Sequence, residues 1–377
     1  MRSADVAKIL ITGADGFLGR NLRLLLAERA DVEVATFTRA DSPGALADLL
    51  ADVGFIFHLA GVNRPENEAE FAQGNIALTE ALCAAVRASG RAIPVIYTSS
   101  IQAMRDNSYG ESKRGAEEAL ARLQAETGNP VFTFRLPNVF GKWARPNYNS
   151  AVATFCHNIA RGLPIHINDP ASEISLAYVD DVLSEFVAVM DGATLRLSAD
   201  GFAAVHPVYQ ITVGELADTV RAFAEGKNSL LIDRVGTGLT RALYATYVSY
   251  LPTDAFSYTL PMHGDARGVF VEMLKTIDSG QFSYFTAHPG VTRGGHYHHT
   301  KTEKFLVIKG RARFKFRHMD SGEIHSLDTD GSVAEIVETV PGWTHDITNI
   351  GEDEMVVMIW ANEIFDRMRP DTFACPL

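Results

Sequence analysis

Short apolar runs alternate with amphipathic stretches through the first two thirds of the chain. Lys8–Thr12, Glu33–Thr38, Phe55–Leu59, Pro94–Thr98 and Phe132–Leu136 are such runs, each bounded by turn residues. That is the pattern of strands buried on both faces. Phe132–Leu136 is placed as the sixth strand. Between the runs, apolar residues return at helical spacing: Leu18, Leu22, Leu25 and Leu26 share one helix face, and Asn75–Ala88 reads as one long helix. Strand and helix in alternation predict a doubly wound parallel sheet of Rossmann type. A further amphipathic helix, Ile211–Glu225, opens with Thr212 as N-cap and Glu215 three positions on.

The rhythm changes after Leu251-Pro252. Ala312, Phe314 and Phe316 alternate with Arg311, Arg313, Lys315 and Arg317. Val269–Glu272, Gln281–Ala287 and Glu354–Trp360 are further short β-type runs. Many short strands with turns between them predict an all-β sandwich or small barrel. The expected division is therefore an α/β domain over 1–250 and an all-β domain over 251–377. A length of 377 residues is enough for two cores.

Composition narrows the partners. The formal net charge of -12 disfavours a nucleic-acid partner. Cys83, Cys156 and Cys375 form no pattern, as expected of a chain in a reducing cytoplasm. The stretch before Gly13 is too short for a signal peptide, and no apolar run reaches membrane-spanning length.

Chemistry enters at the strand ends. The first strand runs into Gly13-Ala14-Asp15-Gly16-Phe17-Leu18-Gly19 and then a helix. A strand, a glycine-rich turn and a helix place a pyrophosphate on the helix N-terminus. The second strand ends at Arg39, where an acidic residue would hold a ribose 2′-hydroxyl; a guanidinium there pairs with a 2′-phosphate, which favours NADPH over NADH. Tyr109 and Lys113 lie four apart, on one helix face. The ammonium would lower the phenol pKa, and the phenol could give a proton to a carbonyl while hydride reaches carbon. His58, inside a buried run, reads as a satisfied core histidine, and Asp180-Asp181 as acids that cap a helix start.

In the last third, His296 and His298 are two apart and share one strand face. Glu303 follows after a short loop, and His345 lies in PGWTHDITN. Two or three imidazoles and a carboxylate suit zinc or a similar divalent ion with one open position. A solvated histidine run is the plainer alternative. Lys304 alternates away from Glu303 and is expected to point outward.

These motifs carry resemblances. The Gly-x2-Gly-x2-Gly turn and YGESK at 109–113 resemble the extended short-chain dehydrogenase/reductase family. That resemblance implies catalytic roles for Ser100, Tyr109 and Lys113, with Ser100 preferred to Ser99. It implies cofactor contacts at Gly13, Gly16, Phe17, Leu18, Gly19, Leu59, Ala60, Gly61, Pro137, Asn138 and Val139, and at the tyrosine and lysine. The spacing from Ser100 to Tyr109 is shorter than that family's usual loop. Gly-x5-His-x-His-x4-Glu-x6-Gly over 290–310 resembles the first cupin motif, and Pro341, Gly342, His345 and Asn349 resemble the second. The segments around Arg267 and Arg293 resemble epimerases of deoxysugar nucleotides. That match implies that His296 is a base and that both arginines anchor a diphosphate.

Both halves together resemble the CapF family of capsular polysaccharide synthesis enzymes. The match rests also on HLAGVNRPE at 58–66, PNYNS at 146–150, ATFCHNIAR at 153–161 and GGHYHHTKTEKFLV at 294–307. It implies a homodimer acting on a UDP-linked 2-acetamido-2,6-dideoxy-4-ketohexose. The cupin would epimerise C3 and the reductase domain would use NADPH to reduce C4, towards UDP-N-acetyl-L-fucosamine for capsule or O-antigen. His298, Glu303 and His345 are the expected metal ligands, with His296 beside them as base. The competing readings are a single-activity reductase with a structural cupin, and a non-catalytic nucleotide sensor.

Overall fold

The computed structural model describes residues 6–65, 67, 69–261, 263–265, 268–270, 274–276, 280–363 and 368–377. The chain forms two compact units, Met1–Asn149 with Ile174–Gln210, and Ser150–Glu173 with Ile211–Leu377.

The first unit begins with β1 (Ala7–Thr12), α1 (Phe17–Ala27), β2 (Val32–Phe37), α2 (Ala45–Leu49) and β3 (Phe55–His58). There follow α3 (Ala69–Phe71), a π-helical turn over Ala72–Ala77, α4 (Leu78–Ser89), β4 (Val95–Ser100), α5 (Ser108–Thr127) and β5 (Val131–Leu136). The strands form one sheet in the order β2-β1-β3-β4-β5, every neighbour parallel. Leu10, Ile56, Val95 and Tyr97 of the sheet pack with Leu82, Val86, Leu120 and Leu123 of α4 and α5. The chain leaves β1 towards β2 on one side and returns to β3 on the other. This switch point opens a crevice at the C-terminal ends of β1 and β3, the place where such sheets bind ligands.

Two expectations change here. Phe132–Leu136 falls within the fifth strand of this sheet, because the stretch between β3 and β4 is helical. Asn75 does not begin a regular α-helix; it sits inside the π-turn, with α4 starting at Leu78. Its side chain explains the distortion. Asn75 Oδ1 accepts from Val62 N at 2.7 Å, and Nδ2 donates to Val62 O at 3.2 Å and to Ser112 Oγ at 2.8 Å. A π-turn in this position is the kind of local irregularity that functional sites use.

The chain continues with β6 (Asn138–Phe140), α6 (Ala151–Ala160), β7 (Glu173–Tyr178), α7 (Val179–Met190), β8 (Tyr209–Thr212), α8 (Val213–Ser229), β9 (Leu231–Ile232) and α9 (Gly238–Ser249). The Thr212–Glu215 capping box is formed. Asp180 and Asp181 lie in the first turn of α7, where carboxylates favour the helix N-terminus, while the N-cap residue Tyr178 makes no side-chain cap bond. Asp180 also pairs with the buried Lys142 at 2.9 Å. A buried ammonium needs a counter-ion.

The all-β part holds β10 (Ser257–Thr259), β11 (His263–Asp265), β12 (Gly268–Phe270), β13 (Lys275–Thr276), β14 (Gln281–Ala287), β15 (Thr292–Tyr297) and β16 (Glu303–Lys309). It ends with β17 (Arg311–His318), β18 (Ile324–Asp330), β19 (Glu335–Glu338), β20 (Trp343–Asn349), β21 (Met355–Ala361) and β22 (Phe373–Ala374). Two five-stranded sheets form, β10-β19-β16-β21-β14 and β18-β17-β20-β15-β22. Ala312, Phe314 and Phe316 of β17 turn inward, as their alternation with charges requires. Phe305 meets Phe314 across the sandwich, with ring centroids 5.6 Å apart. Val271 and Glu272, expected in a strand, and Arg267, expected to bind substrate, lie outside the described residues.

Candidate active sites

The first site lies at the C-terminal ends of β1, β3 and β4. Gly13 has φ +70°, and a Cβ there would stand 2.7 Å from the Ala60 backbone. A Cβ on Gly19 would fall 2.3 Å from the Gly13 carbonyl oxygen. Only glycine lets β1, the Leu59-Ala60 segment and α1 approach this closely. Gly16 caps α1 without a side-chain hydrogen bond, and the first turn holds no acid. The amides of Phe17 and Leu18 therefore head a helix N-terminus with no competing carboxylate, which fits a nucleotide pyrophosphate. Arg39 is exposed just beyond β2. The nearby acid, Asp41, folds back to accept from Thr38 N at 2.8 Å and Thr38 Oγ1 at 2.9 Å. Of the expected PNV contacts, Asn138 is exposed and donates to Ser175 O at 3.2 Å.

Tyr109 and Lys113 occupy the first turns of α5, which Asn107 caps by accepting from Gly110 N at 2.8 Å. Lys113 is buried, and its Nζ donates to Thr98 O at 3.0 Å. A Cβ on Gly61 would come 3.2 Å from that Nζ, so the ammonium lies against the loop after β3. Burial lowers the lysine pKa to about 8, with Glu117 opposing. Burial raises the Tyr109 phenol, and the Ser100 side chain works against that rise. The expected lowering by lysine is thus not the balance found. Lys113 stands 6.0 Å from the phenol ring centroid and spends a proton on Thr98, so desolvation outweighs it. Ser100 ends β4 facing Tyr109, whereas Ser99 is buried and donates to Glu117, itself paired with Arg135 at 2.7 Å.

His58 is a satisfied core histidine, as its place in a buried run suggests. Its ring nitrogens meet Thr12 Oγ1 at 2.7 Å and Thr79 Oγ1 at 2.8 Å. Thr79 gives its own proton to Asn75 O at 2.6 Å, so Nε2 carries the imidazole proton and Nδ1 accepts from Thr12. Burial, then the Lys113 charge, depresses its pKa to about 3. The network ties β1, β3 and the π-turn together beneath the glycine-rich loop. Sequence reading missed Asn75 and Thr12 here, because no motif marks a polar residue whose partners lie in other elements.

The second site lies in the β-sandwich. His296, His298, Glu303 and His345 each offer one ligand atom, and all four atoms lie within 4.8 Å of one another. His298 Nε2 is 3.2 Å from Glu303 Oε2, and His345 Nε2 is 3.6 Å from it. The His296 ring centroid is 4.7 Å from that of His345 and 5.0 Å from that of His298. Glu303, His298 and His345 are buried, and His296 is half-buried at the rim. A β-bulge between Gly294 and His296 turns the strand here, with Gly294 at φ +97° and Gly295 at φ +71°. Such bulges re-aim side chains. His298 Nδ1 is 2.6 Å from Asp371 O, so Nδ1 carries the proton and Nε2 points its lone pair at the cluster. Both ring nitrogens of buried His345 lack a hydrogen-bond partner among the described residues. A buried imidazole with an orphaned nitrogen, beside a carboxylate and two further imidazoles, fits a divalent ion. His296 stands among the other three rather than apart from them. Arg293 is exposed; it donates to Thr286 O at 3.0 Å and lies over the Phe285 ring at 5.0 Å.

Lys304 does not point to solvent. It is buried on the sheet face opposite Glu303 and pairs with Glu338 of β19. Tyr258 OH accepts from it at 3.4 Å. Burial would lower its pKa, but Glu338 holds it well above the usual lysine range. A polar alternation read as solvent-facing was in fact a buried ion pair under α8 and α9, which sequence spacing does not disclose. Glu338→Ala leaves a buried ammonium uncompensated and is expected to cost about 3–5 kcal/mol. Denaturant unfolding followed on the β-unit checks this; a cost below about 1 kcal/mol would show that Lys304 finds another partner.

A nucleotide-binding parallel sheet with a Ser-Tyr-Lys set, in one chain with a cupin sandwich, defines an oxidoreductase of the short-chain dehydrogenase/reductase type. The model of the NAD dependent epimerase/dehydratase family matches residues 9–195, and that of the polysaccharide biosynthesis C-terminal domain matches 263–373. The chain is 65% identical to the UDP-2-acetamido-2,6-beta-L-arabino-hexul-4-ose reductase of Pseudomonas aeruginosa, over 98% of each. It is 39% identical to the crystal structure of the capsular polysaccharide assembling protein CapF from Staphylococcus aureus. That likeness has a TM-score of 0.67 and covers 98% of this chain and 100% of the other. A UDP-glucuronic acid 4-epimerase from Bacillus cereus shares the fold at 17% identity, TM-score 0.53, over 65% of this chain and 98% of its own. The chain belongs to the CapF family. Family and fold together imply a nicotinamide cofactor. No helix among the described residues is long and apolar enough to cross a membrane.

Proposed function

We propose that the chain converts a UDP-linked 2-acetamido-2,6-dideoxy-4-ketohexose in two steps, C3 epimerisation and C4 reduction, towards UDP-N-acetyl-L-fucosamine. The reductase step belongs to 1–250 and the epimerase step to 251–377, and the working species is a homodimer. The observation that carries the reading is the convergence of Ser100, Tyr109 and Lys113 beside Gly61. It occurs in a chain 65% identical to an enzyme whose name states a 4-ulose reductase.

In the reduction, bound NADPH supplies the hydride to C4. Ser100 holds the C4 oxygen, Tyr109 gives it a proton, and Lys113 keeps a positive charge beside the phenol. Ketone becomes alcohol, and the trapped C3 configuration no longer exchanges. In the epimerisation, the ketone acidifies the C3 hydrogen, so a neutral imidazole can take it. His296 is the proposed base, because it is the one member of the cluster at the rim. His298, Glu303 and His345 would hold zinc or a similar ion, which supplies positive charge for the enolate oxygen. Arg293 is the proposed anchor for the diphosphate, with Arg267 as its partner.

Product analysis by NMR in deuterated water, with NADPH and the 4-ketosugar nucleotide, tests the reading. Deuterium at C3 and a C4 alcohol are expected. NADPH use without C3 deuterium would leave a single-activity reductase with a structural cupin. No NADPH use would sink the reading and favour the sensor. Cofactor choice gives a second test. Asp41 is engaged with Thr38 and Arg39 is exposed, which supports NADPH. Arg39→Ala is expected to lower the preference for NADPH over NADH about 10- to 100-fold, a charge-assisted phosphate contact being worth roughly 1.5–3 kcal/mol. Steady-state kinetics with both cofactors read it, and equal efficiency in the parent would refute the assignment.

A further inference from the structure

Residues 370–375 run past the histidine cluster and are fastened on both sides of Asp371. Upstream, Pro370 O accepts from Lys301 Nζ at 3.4 Å. Downstream, Thr372 Oγ1 accepts from the same Nζ at 2.7 Å, and β22 pairs with β15 at Tyr297 and His296. Between these fastenings Asp371 takes φ +38°, a left-handed conformation that aspartate tolerates better than most side chains. Its carboxylate accepts from His299 N at 3.0 Å, Thr300 N at 2.9 Å, Thr300 Oγ1 at 3.0 Å and Lys301 N at 2.7 Å. Four donors converge on two oxygens, so the turn after His298 is folded around an anion. The same residue's carbonyl oxygen takes the Nδ1 proton of His298.

We propose that Asp371 is a positioning residue that sets the tautomer and aim of His298, and thereby the metal affinity of the cluster. The proposal rests on the reading of His298, Glu303 and His345 as a divalent-ion site. One residue performs two linked tasks. Its side chain fixes the turn that carries the imidazole, and its main chain fixes which ring nitrogen is bare. The two tasks share one backbone conformation, so releasing the carboxylate contacts also moves the carbonyl. Asparagine is the informative substitution. It keeps the size and the left-handed tolerance, but it removes the charge, and with its oxygen on the Thr300 and Lys301 donors its NH2 group opposes the His299 N–H.

The test uses the full chain and zinc in competition with a chromophoric chelator. Asp371→Asn is expected to weaken zinc binding about 10- to 100-fold, the usual effect of removing a partner that orients a metal ligand. Nicotinamide cofactor binding is expected to be unchanged. Nitrogen NMR of the metal-free protein reads the clamp separately: the parent should show the His298 Nδ1, assigned by its loss in His298→Ala, fully protonated, whatever Nε2 shares with Glu303. Asp371→Asn should show Nδ1 only partly protonated. Parent-like affinity and a fully protonated Nδ1 in the variant would overturn the proposal. If the parent itself takes up no zinc, the metal reading fails, and the Nδ1 comparison still decides the clamp. If Asp371→Asn does not fold, Thr300→Val removes one of its four donors, along with the contact of Arg241 to the same hydroxyl, and Arg241 keeps Glu363. It should weaken zinc binding several-fold with the thermal transition intact, and unchanged affinity would overturn the proposal.

Discussion

Tyr109→Phe is expected to lower NADPH oxidation by about 100-fold or more, while cofactor binding survives. The substitution removes one hydroxyl. The ring packs against Phe71 at 5.6 Å, a contact phenylalanine keeps. Ser112 bonds the Tyr109 main-chain carbonyl at 2.7 Å, so the first turn of α5 is held by groups the change does not touch. Lys113 stays fixed by Thr98 O and by its place against Gly61. What disappears is the proton that the C4 oxygen must receive as hydride arrives. Burial raises the phenol pKa, so in the parent the group is protonated at neutral pH and ready to donate. Stopped-flow oxidation of NADPH and fluorescence titration of the cofactor separate the two effects. Retention of more than about a tenth of the rate would remove Tyr109 from the chemistry, since a general acid typically contributes about 10²- to 10⁴-fold.

His298→Ala and His296→Ala are expected to fail in different ways. His298 is buried, 3.2 Å from Glu303, and oriented by Asp371 O. Its loss should strip the metal and lower the unfolding temperature of the β-sandwich, because metal binding free energy is part of folding free energy. His296 lies at the rim of the same cluster. A metal-bound nitrogen has no lone pair for a proton, so one nitrogen of His296 cannot both ligate and act as base. If His296 is the base, His296→Ala should keep its metal and its unfolding temperature, lose solvent deuterium at C3, and still consume NADPH on the unepimerised sugar. Metal content of the two purified variants settles the division of labour. A His296→Ala protein without zinc would make His296 a ligand, and the base would have to be sought among other groups.

Much of this was legible in the chain. Continuous apolar runs between period-3.6 helices gave the parallel sheet, and period-two alternation gave the β-sandwich, because side chains on one face of an element must be buried together. The glycine-rich turn was legible because φ +70° at Gly13 and the contact at Gly19 exclude any other residue. The metal-type cluster was legible through the histidine pair in and just after β15 and the glutamate that opens β16. Other features depended on partners far away in sequence. Lys304 looked outward until β19 brought Glu338 beneath it. Asp180 read only as an acid at a helix start, and packing added the buried Lys142 as its partner. The phenol pKa direction was decided by burial, a property of the packed unit that Tyr109 and Lys113 alone do not carry. Asn75 and Asp371 bear no motif, yet each gathers backbone groups from other segments into one place. Residue type and spacing fixed which chemistry the chain could hold. Tertiary packing alone decided which polar groups meet, which are desolvated, and therefore which of them can act.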